Sequence, residues 1–237
     1  ATLKPRQVDV SKRIQGAGIS PSGKRVVFQA RGEVFSVPAE HGVTRNLTRS
    51  SGHAERHAAW SPDGKWIVYH DDGTGEYELT IRAADGSGEE RTLTSEGYGY
   101  GYDIHWSPDS KKLAFADQAM QMQLFDLDTG KLTVVDQGRY MFHGRLQGFV
   151  MNWSPDSRWL TWARSSMSRN LAIFLYDTRE GQRHQLTSGY HADDQPVFEP
   201  DGKYLYYKAN RTFRPMYSDL DNSWIYANST NVVAVPL

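Results

Sequence analysis

The sequence predicts an all-β propeller of four-stranded antiparallel blades. Two observations carry this: one corner phrase recurs five times at near-regular spacing, and each copy is followed by similar apolar runs and turn residues. The phrase reads ISPSGKRVVF from Ile19, WSPDGKWIVY from Trp60, WSPDSKKLAF from Trp106, WSPDSRWLTW from Trp153 and FEPDGKYLYY from Phe198. Its prolines, Pro21, Pro62, Pro108, Pro155 and Pro200, stand 41, 46, 47 and 45 residues apart. A period of about 40–50 residues belongs to propeller blades, whereas helical arrays repeat at roughly 33 or 34.

Each element of the repeat has a mechanical reading. Proline presets φ at the first central position of a tight turn, and Asp followed by Gly or Ser suits the positions after it, so S-P-D-G is a hairpin corner. The runs behind it, such as 65–69 and 204–207, place apolar residues successively, as expected of a second strand covered on both faces by neighbouring blades. In the second repeat a turn, a strand around 77–82, a Gly-rich turn and a strand ending at Leu93 follow, which completes four strands. GEVFSVPAEHGVTRNLT and NLAIFLYDTREGQRHQLT repeat that grammar in the first and fourth copies. The blades are expected at 14–49, 55–94, 101–137, 148–187 and 194–237, forming one domain. Trp60, Trp106 and Trp153 share one repeat position with Ile19 and Phe198, which reads as an apolar plug between adjacent blades.

The fifth copy departs from the pattern. A polar and aromatic insertion at 211–228 carries Phe213, Tyr217, Trp224 and Tyr226 before a last strand at 232–235, and no outer strand follows. The insertion exposes more apolar surface than a solvated loop tolerates, so it docks either on its own blade or on a following domain. Residues 4–11 can supply the outer strand that closes a five-bladed ring. The alternative is that the five blades are part of a larger ring, whose open edges would favour self-association.

Composition narrows the functional classes. The 237 residues contain 38% hydrophobic and 12% aromatic side chains, enough for a packed core without staples. Lys and Arg number 27 against 28 Asp and Glu, so no net field recruits nucleic acid or anionic lipid. No apolar run approaches the roughly 20 residues of a membrane helix. The absence of cysteine excludes disulfides, thiolate metal sites and a cysteine nucleophile. The chain begins at Ala1 without a hydrophobic signal region, an arrangement consistent with prior removal of a leader or of preceding domains.

The repeats resemble the WD40-like repeats of TolB and of tricorn-type peptidases. The longer phrases ISPSGKRVVFQARGEVFSVPAEHGVTRNLTR, HAERHAAWSPDGKWIVYHDDGTGEYELTIR and YSDLDNSWIYANSTNVVAVPL resemble the tricorn type in particular. The resemblance implies the second β-propeller of a large serine peptidase in which two propellers precede a PDZ-like module and the peptidase core. It also implies that the ring has seven blades, that the propeller gates or channels peptides, and that the catalytic Ser and His lie in other domains. Its partners would be peptides or unfolded polypeptide and the parent peptidase's other domains. A cytoplasmic setting follows from the resemblance, and a periplasmic one would follow from removal of a signal peptide. The competing readings are a free-standing TolB-like interaction scaffold and, more remotely, a propeller glycosidase or lyase built on Asp103, Asp193, Asp194 and His57.

The residues themselves offer no catalytic centre. There is no G-x-S-x-G elbow and no helix to carry one. H-A-E-R-H at 53–57 has its Glu one place from the helical zinc signatures and lies in a loop entering a strand, so it reads as a solvated loop; no metal and no cofactor are expected. Loops entering the innermost strands open near a propeller's channel. Six residues before each repeat proline stand Gln15, Arg56, Tyr102, Phe149 and Asp194, and around them Glu55, His57, Asp103, His105, His191 and Asp193. Of these, Arg56, His57, Tyr102, Asp103, His105, Phe149, Asp193 and Asp194 are the candidate peptide-binding residues, mixing charge with aromatic surface. GYGYGYD at 97–103 reads either as a mobile lip hinged on glycines or as a rigid loop covering the core edge with Tyr98, Tyr100 and Tyr102.

Overall fold

The computed structural model describes residues 9–50, 52–138, 150–211 and 230–237, together with the backbone of 215–217 and 224–226. These residues are almost wholly strand, turn and loop, with a single 3₁₀ turn at Ser11–Arg13. The chain falls into two compact units, 1–106 and 107–237.

The first unit contains two antiparallel meanders. β1 (Ile14–Ile19), β2 (Arg25–Ala30), β3 (Glu33–Pro38) and β4 (Arg45–Asn46) form the first sheet in that order, and β5 (Arg56–Trp60), β6 (Trp66–Asp71), β7 (Glu78–Ala83) and β8 (Arg91–Thr92) the second. The unit ends with β9 (His105–Trp106). The second unit opens with a third sheet of β10 (Lys112–Ala116), β11 (Gln121–Asp126) and β12 (Lys131–Gln137). It then forms a fourth sheet from β13 (Asn152–Trp153), β14 (Trp159–Ser165), β15 (Leu171–Asp177) and β16 (Gln182–Gln185). In the fifth sheet β17 (Ala192–Phe198) pairs with β18 (Tyr204–Asn210), and β18 pairs with the last strand at Thr230–Pro236. Between them, β19 (Pro215–Tyr217) and β20 (Trp224–Tyr226) pair with each other within the insertion; the final strand is thus β21. Of the segment 4–11, residues 4–8 lie outside the described residues, as do Phe149 and most of the insertion.

In four of the five copies the corner phrase is built on one serine, and Glu199 takes its place in the fifth. In the second blade Ser61 N donates to Trp66 O at 2.9 Å and Gly64 N to Ser61 O at 2.9 Å. The Ser61 hydroxyl donates to Asp63 Oδ1 at 2.6 Å and accepts from Trp66 N at 2.9 Å, while Asp63 Oδ1 also accepts from Lys65 N at 3.0 Å. Ser107 with Asp109, and Ser154 with Asp156, repeat the hydroxyl–carboxylate clamp. The residue closing each corner is left-handed, Gly23, Gly64 and Gly202 in three blades and Ser110 and Ser157 at φ of 61° in the other two. Glycine is the unstrained choice there.

Packing between consecutive blades forms the cores. Val27, Val34 and Leu47 of the first blade meet Ile67, Tyr69 and Ala84 of the second, with Ala58 and Trp60 against them. In the second unit, Ala163 and Ile173 meet Phe198, Leu205, Tyr207 and Ala209. Trp60 packs against the first of these cores, and two of the repeated tryptophans are tied by their indole nitrogens: Trp60 Nε1 donates to Gly18 O at 3.1 Å and Trp106 Nε1 to Ala59 O at 3.3 Å. Trp106, Trp153 and Phe198 are buried, whereas Ile19 at the same repeat position is 72% exposed.

Two outcomes test these contacts. Ser61, fully buried, holds both partners of its corner, so Ser61→Ala is expected to cost about 1–2 kcal/mol in urea unfolding. Arg158 in the fourth corner donates through Nε to Asp177 Oδ2 at 2.9 Å, and Asp177 Oδ1 accepts from Arg179 N at 2.8 Å. The guanidinium and these hydrogen bonds hold the buried Asp177 carboxyl down at about 2. Because the folded value lies below the unfolded one, the stabilisation is complete above pH 4 or so and disappears as pH falls toward about 2. The unfolding free energies of wild type and Asp177→Asn should differ by on the order of 1–2 kcal/mol at pH 6 and converge near pH 2.

Candidate functional site

The innermost strands carry a recurrent irregularity. Pairing of β5 with β6 shifts between Arg56 and Ala59, that of β17 with β18 between Asp194 and Val197, and that of β1 with β2 between Ile14 and Gly16. Gly16, His57 and Gln195 are equivalent positions, each five residues before the repeat proline. His57 and Gln195 are left-handed, with φ of 54° and 53°. A bulge of this kind re-aims a side chain, and positive φ at a non-glycine residue marks a position held by its surroundings.

Around His57 the first unit assembles a polar aromatic cluster. The His57 ring is mostly buried; Nδ1 lies 2.7 Å from Asp103 Oδ1 and Nε2 lies 3.0 Å from the Tyr100 hydroxyl, while the His57 backbone N donates to Gln29 Oε1 at 2.9 Å. Arg56 donates to the Tyr77 hydroxyl at 3.0 Å and to Gln15 Oε1 at 3.2 Å. Tyr100 packs edge-on against Tyr77, Tyr102 and His57, with ring centroids 5.4, 5.0 and 5.7 Å apart. The hydrogen bond from His57 holds the Asp103 carboxyl below the usual carboxylate value, whereas burial pushes the His105 imidazole down.

Beneath this layer lies His70, fully buried on β6. Its Nδ1 is 2.9 Å from the Tyr98 hydroxyl and its Nε2 2.9 Å from Tyr102 O, and desolvation lowers its pKa to about 3. The neutral ring therefore anchors both ends of the tyrosine loop. A Cβ on Gly101 would lie 2.3 Å from the His70 ring, so glycine is required there by close approach. Gly97 and Gly99 are left-handed. The 97–103 segment is a loop docked by all three tyrosines.

The structure thus brings Arg56, His57, Tyr102, Asp103 and His105 into one unit, four of them linked through the ring and charge contacts above and His105 through the field of Asp103. Asp193 and Asp194 stand in the second unit on β17, where Asp193 is buried 3.7 Å from an Arg211 guanidinium nitrogen and Asp194 Oδ1 accepts from Gln195 N at 2.7 Å. Phe149 lies outside the described residues. Tyr77, Gln29 and His70 complete the cluster without a counterpart among the expected residues; the only sequence signal for His70 is an imidazole inside the otherwise apolar run WIVYH.

A second group lies nearby in the same unit. His53 and Glu55 in the loop entering β5 and Asp71 at the end of β6 each present one ligand-type atom, all within 4.8 Å of one another. Glu55 is 2% exposed, and its carboxylate accepts from the hydroxyls of Ser50 and Thr48. Burial, reinforced by Asp71, raises Glu55 to about 7.

Comparisons place the chain. A tricorn protease homolog of Saccharolobus solfataricus is 25% identical over 212 residues, covering 90% of this chain and 18% of that protein. The tricorn protease of Thermoplasma volcanium is 28% identical over 181 residues, 74% of this chain and 16% of its own. The chain therefore spans under a fifth of the length of these two relatives. The crystal structure of the tricorn protease covers 100% of this chain and 23% of its own, with a TM-score of 0.83 at 18% identity, a likeness of fold. The sequence model of the tricorn protease second β-propeller domain matches residues 14–237, and the chain belongs to that family.

Proposed function

We propose that this β-propeller scaffold is a non-catalytic recognition module that binds extended peptide or unfolded polypeptide and admits it to the peptidase core of a larger tricorn-like protein. The observation that carries this reading is the His57, Tyr100, Asp103 constellation with Arg56, Tyr77 and Tyr102. It pairs one cation and one largely exposed anion with three aromatic rings on a preorganised loop. A peptide offers alternating amides and side chains, which such a surface engages by hydrogen bonding and stacking. The even charge balance gives no comparable fit to a phosphate backbone. Because a hydrogen-bonded histidine and a close-packed glycine fix the loop, binding spends little energy on ordering it.

Fluorescence anisotropy with labelled, unstructured peptides of about ten residues tests the reading. Peptides are expected to bind, and Asp103→Ala and Arg56→Ala should each raise Kd about tenfold, equivalent to about 1.4 kcal/mol, with an unchanged circular dichroism spectrum. Absence of binding to every peptide in a varied set, or equal affinity in wild type and both variants, would overturn the assignment of this surface.

A further inference from the structure

We infer that His53, Glu55 and Asp71 form a site for one divalent metal ion of the zinc class, seated where the loop entering β5 meets the end of β6. The three donors come from two separate stretches of chain, yet their ligand atoms all fall within 4.8 Å of one another. A tetrahedral ion with bonds of about 2.0–2.2 Å spaces its ligands roughly 3.3–3.6 Å apart. His53 Nδ1 and Asp71 Oδ1 are already 3.4 Å apart.

Two further observations point to a missing cation. His53 Nδ1 is shielded from solvent and, among the described residues, makes no hydrogen bond. Glu55 is buried beside Asp71, and among the described residues no Lys or Arg pairs with either carboxylate. Two carboxylates drawn together in a poorly solvated place are costly unless a proton or a cation intervenes. One imidazole and two carboxylates suit a borderline divalent ion, with water in the fourth position.

The surroundings hold the donors in place. Asp71 Oδ1 accepts from Gly73 N at 2.9 Å, and Asp72 Oδ1 accepts from Ala54 N at 2.6 Å, which ties the β6–β7 turn to the 53–55 loop. A Cβ on Gly73 would lie 2.4 Å from the His53 ring, so glycine makes room for the imidazole at the site. Hydroxyls of Thr48 and Ser50 orient the Glu55 carboxylate in the manner of an outer coordination shell. The bound ion would link two segments on either side of His57 and brace the bulge that displays it.

Isothermal titration of the metal-stripped chain with Zn²⁺ tests the site. One equivalent is expected to bind and to raise Tm, and His53→Ala and Glu55→Gln should each weaken binding at least tenfold. His184→Ala, an exposed histidine on β16, should leave it unchanged. Glu55→Gln preserves shape, and His53 is part-exposed, so both variants are expected to keep the wild-type circular dichroism spectrum. The Co²⁺-loaded wild-type chain provides an independent readout: intense visible bands accompany tetrahedral coordination. Substoichiometric binding, equal affinity in both variants, or a Co²⁺ spectrum of the hydrated ion would overturn the proposal.

Discussion

A four-stranded blade has two broad faces and cannot bury both by itself; the rest of this structure follows from that constraint. The second strand of a blade shows it best. β6 and β14 are buried along nearly their whole length, whichever face a residue points toward, because packing covers both sides. β18 instead alternates strictly, with Leu205, Tyr207 and Ala209 buried in the core and Tyr204 and Tyr206 facing outward. The same grammar of residues thus gives two burial patterns, and neighbouring sheets decide which appears. Trp60 serves that stacking twice, its ring packed in the seam and its indole nitrogen bonded to the backbone of the preceding blade, and Trp106 makes the same kind of bond.

Against this regular background the polar cluster of the first unit stands apart. His70 is an imidazole fully buried in a strand whose other residues are largely apolar, and it is tolerable only because both ring nitrogens are bonded. Those two bonds are what attach the tyrosine loop to the blade. Tyr100 and Asp103 on that loop then grip His57, so a deep residue indirectly sets the geometry of an outer one. Asp136 in the second unit shows the contrasting use of a buried anion. Arg164 and Arg183 both donate to its carboxylate and Trp162 Nε1 donates at 3.1 Å, a set in which the charge is fully matched. Among the described residues, no Lys or Arg matches Glu55 or Asp71.

The fold was legible because the corner phrase encodes geometry directly. Pro, Asp and the terminal Gly or Ser each have one physical task in the turn, and a regular interval multiplies a weak local signal fivefold. The candidate site was legible only in part. Counting back from the prolines located Arg56, Tyr102 and their neighbours, since the repeat transfers position. The bulge at His57 and the docking of Tyr98 on His70 left no such trace, because they depend on pairing register and on contacts across 28 residues. The His53–His57 spacing drew attention to the wrong partner: His57 turns to Asp103, while His53 faces Asp71, at the end of the neighbouring strand. Periodicity reveals what blades share, whereas this chemistry lies in what one blade has that the others lack.

The bulge on the innermost strand has a consequence for how such a protein diversifies. A residue in regular pairing answers to its partner across the ladder and to both faces of its blade, so changing it disturbs its neighbours. His57 and its equivalent Gln195 fall in the break and are exempt from that pairing while the strand on either side keeps its register; in the first blade the break falls at Gln15, and Gly16 pairs with Gln29. Histidine and glutamine occupy the same left-handed place in two blades of one chain without altering the meander. These two blades therefore share an interchangeable display position, whose side chain can change while the architecture stays constant.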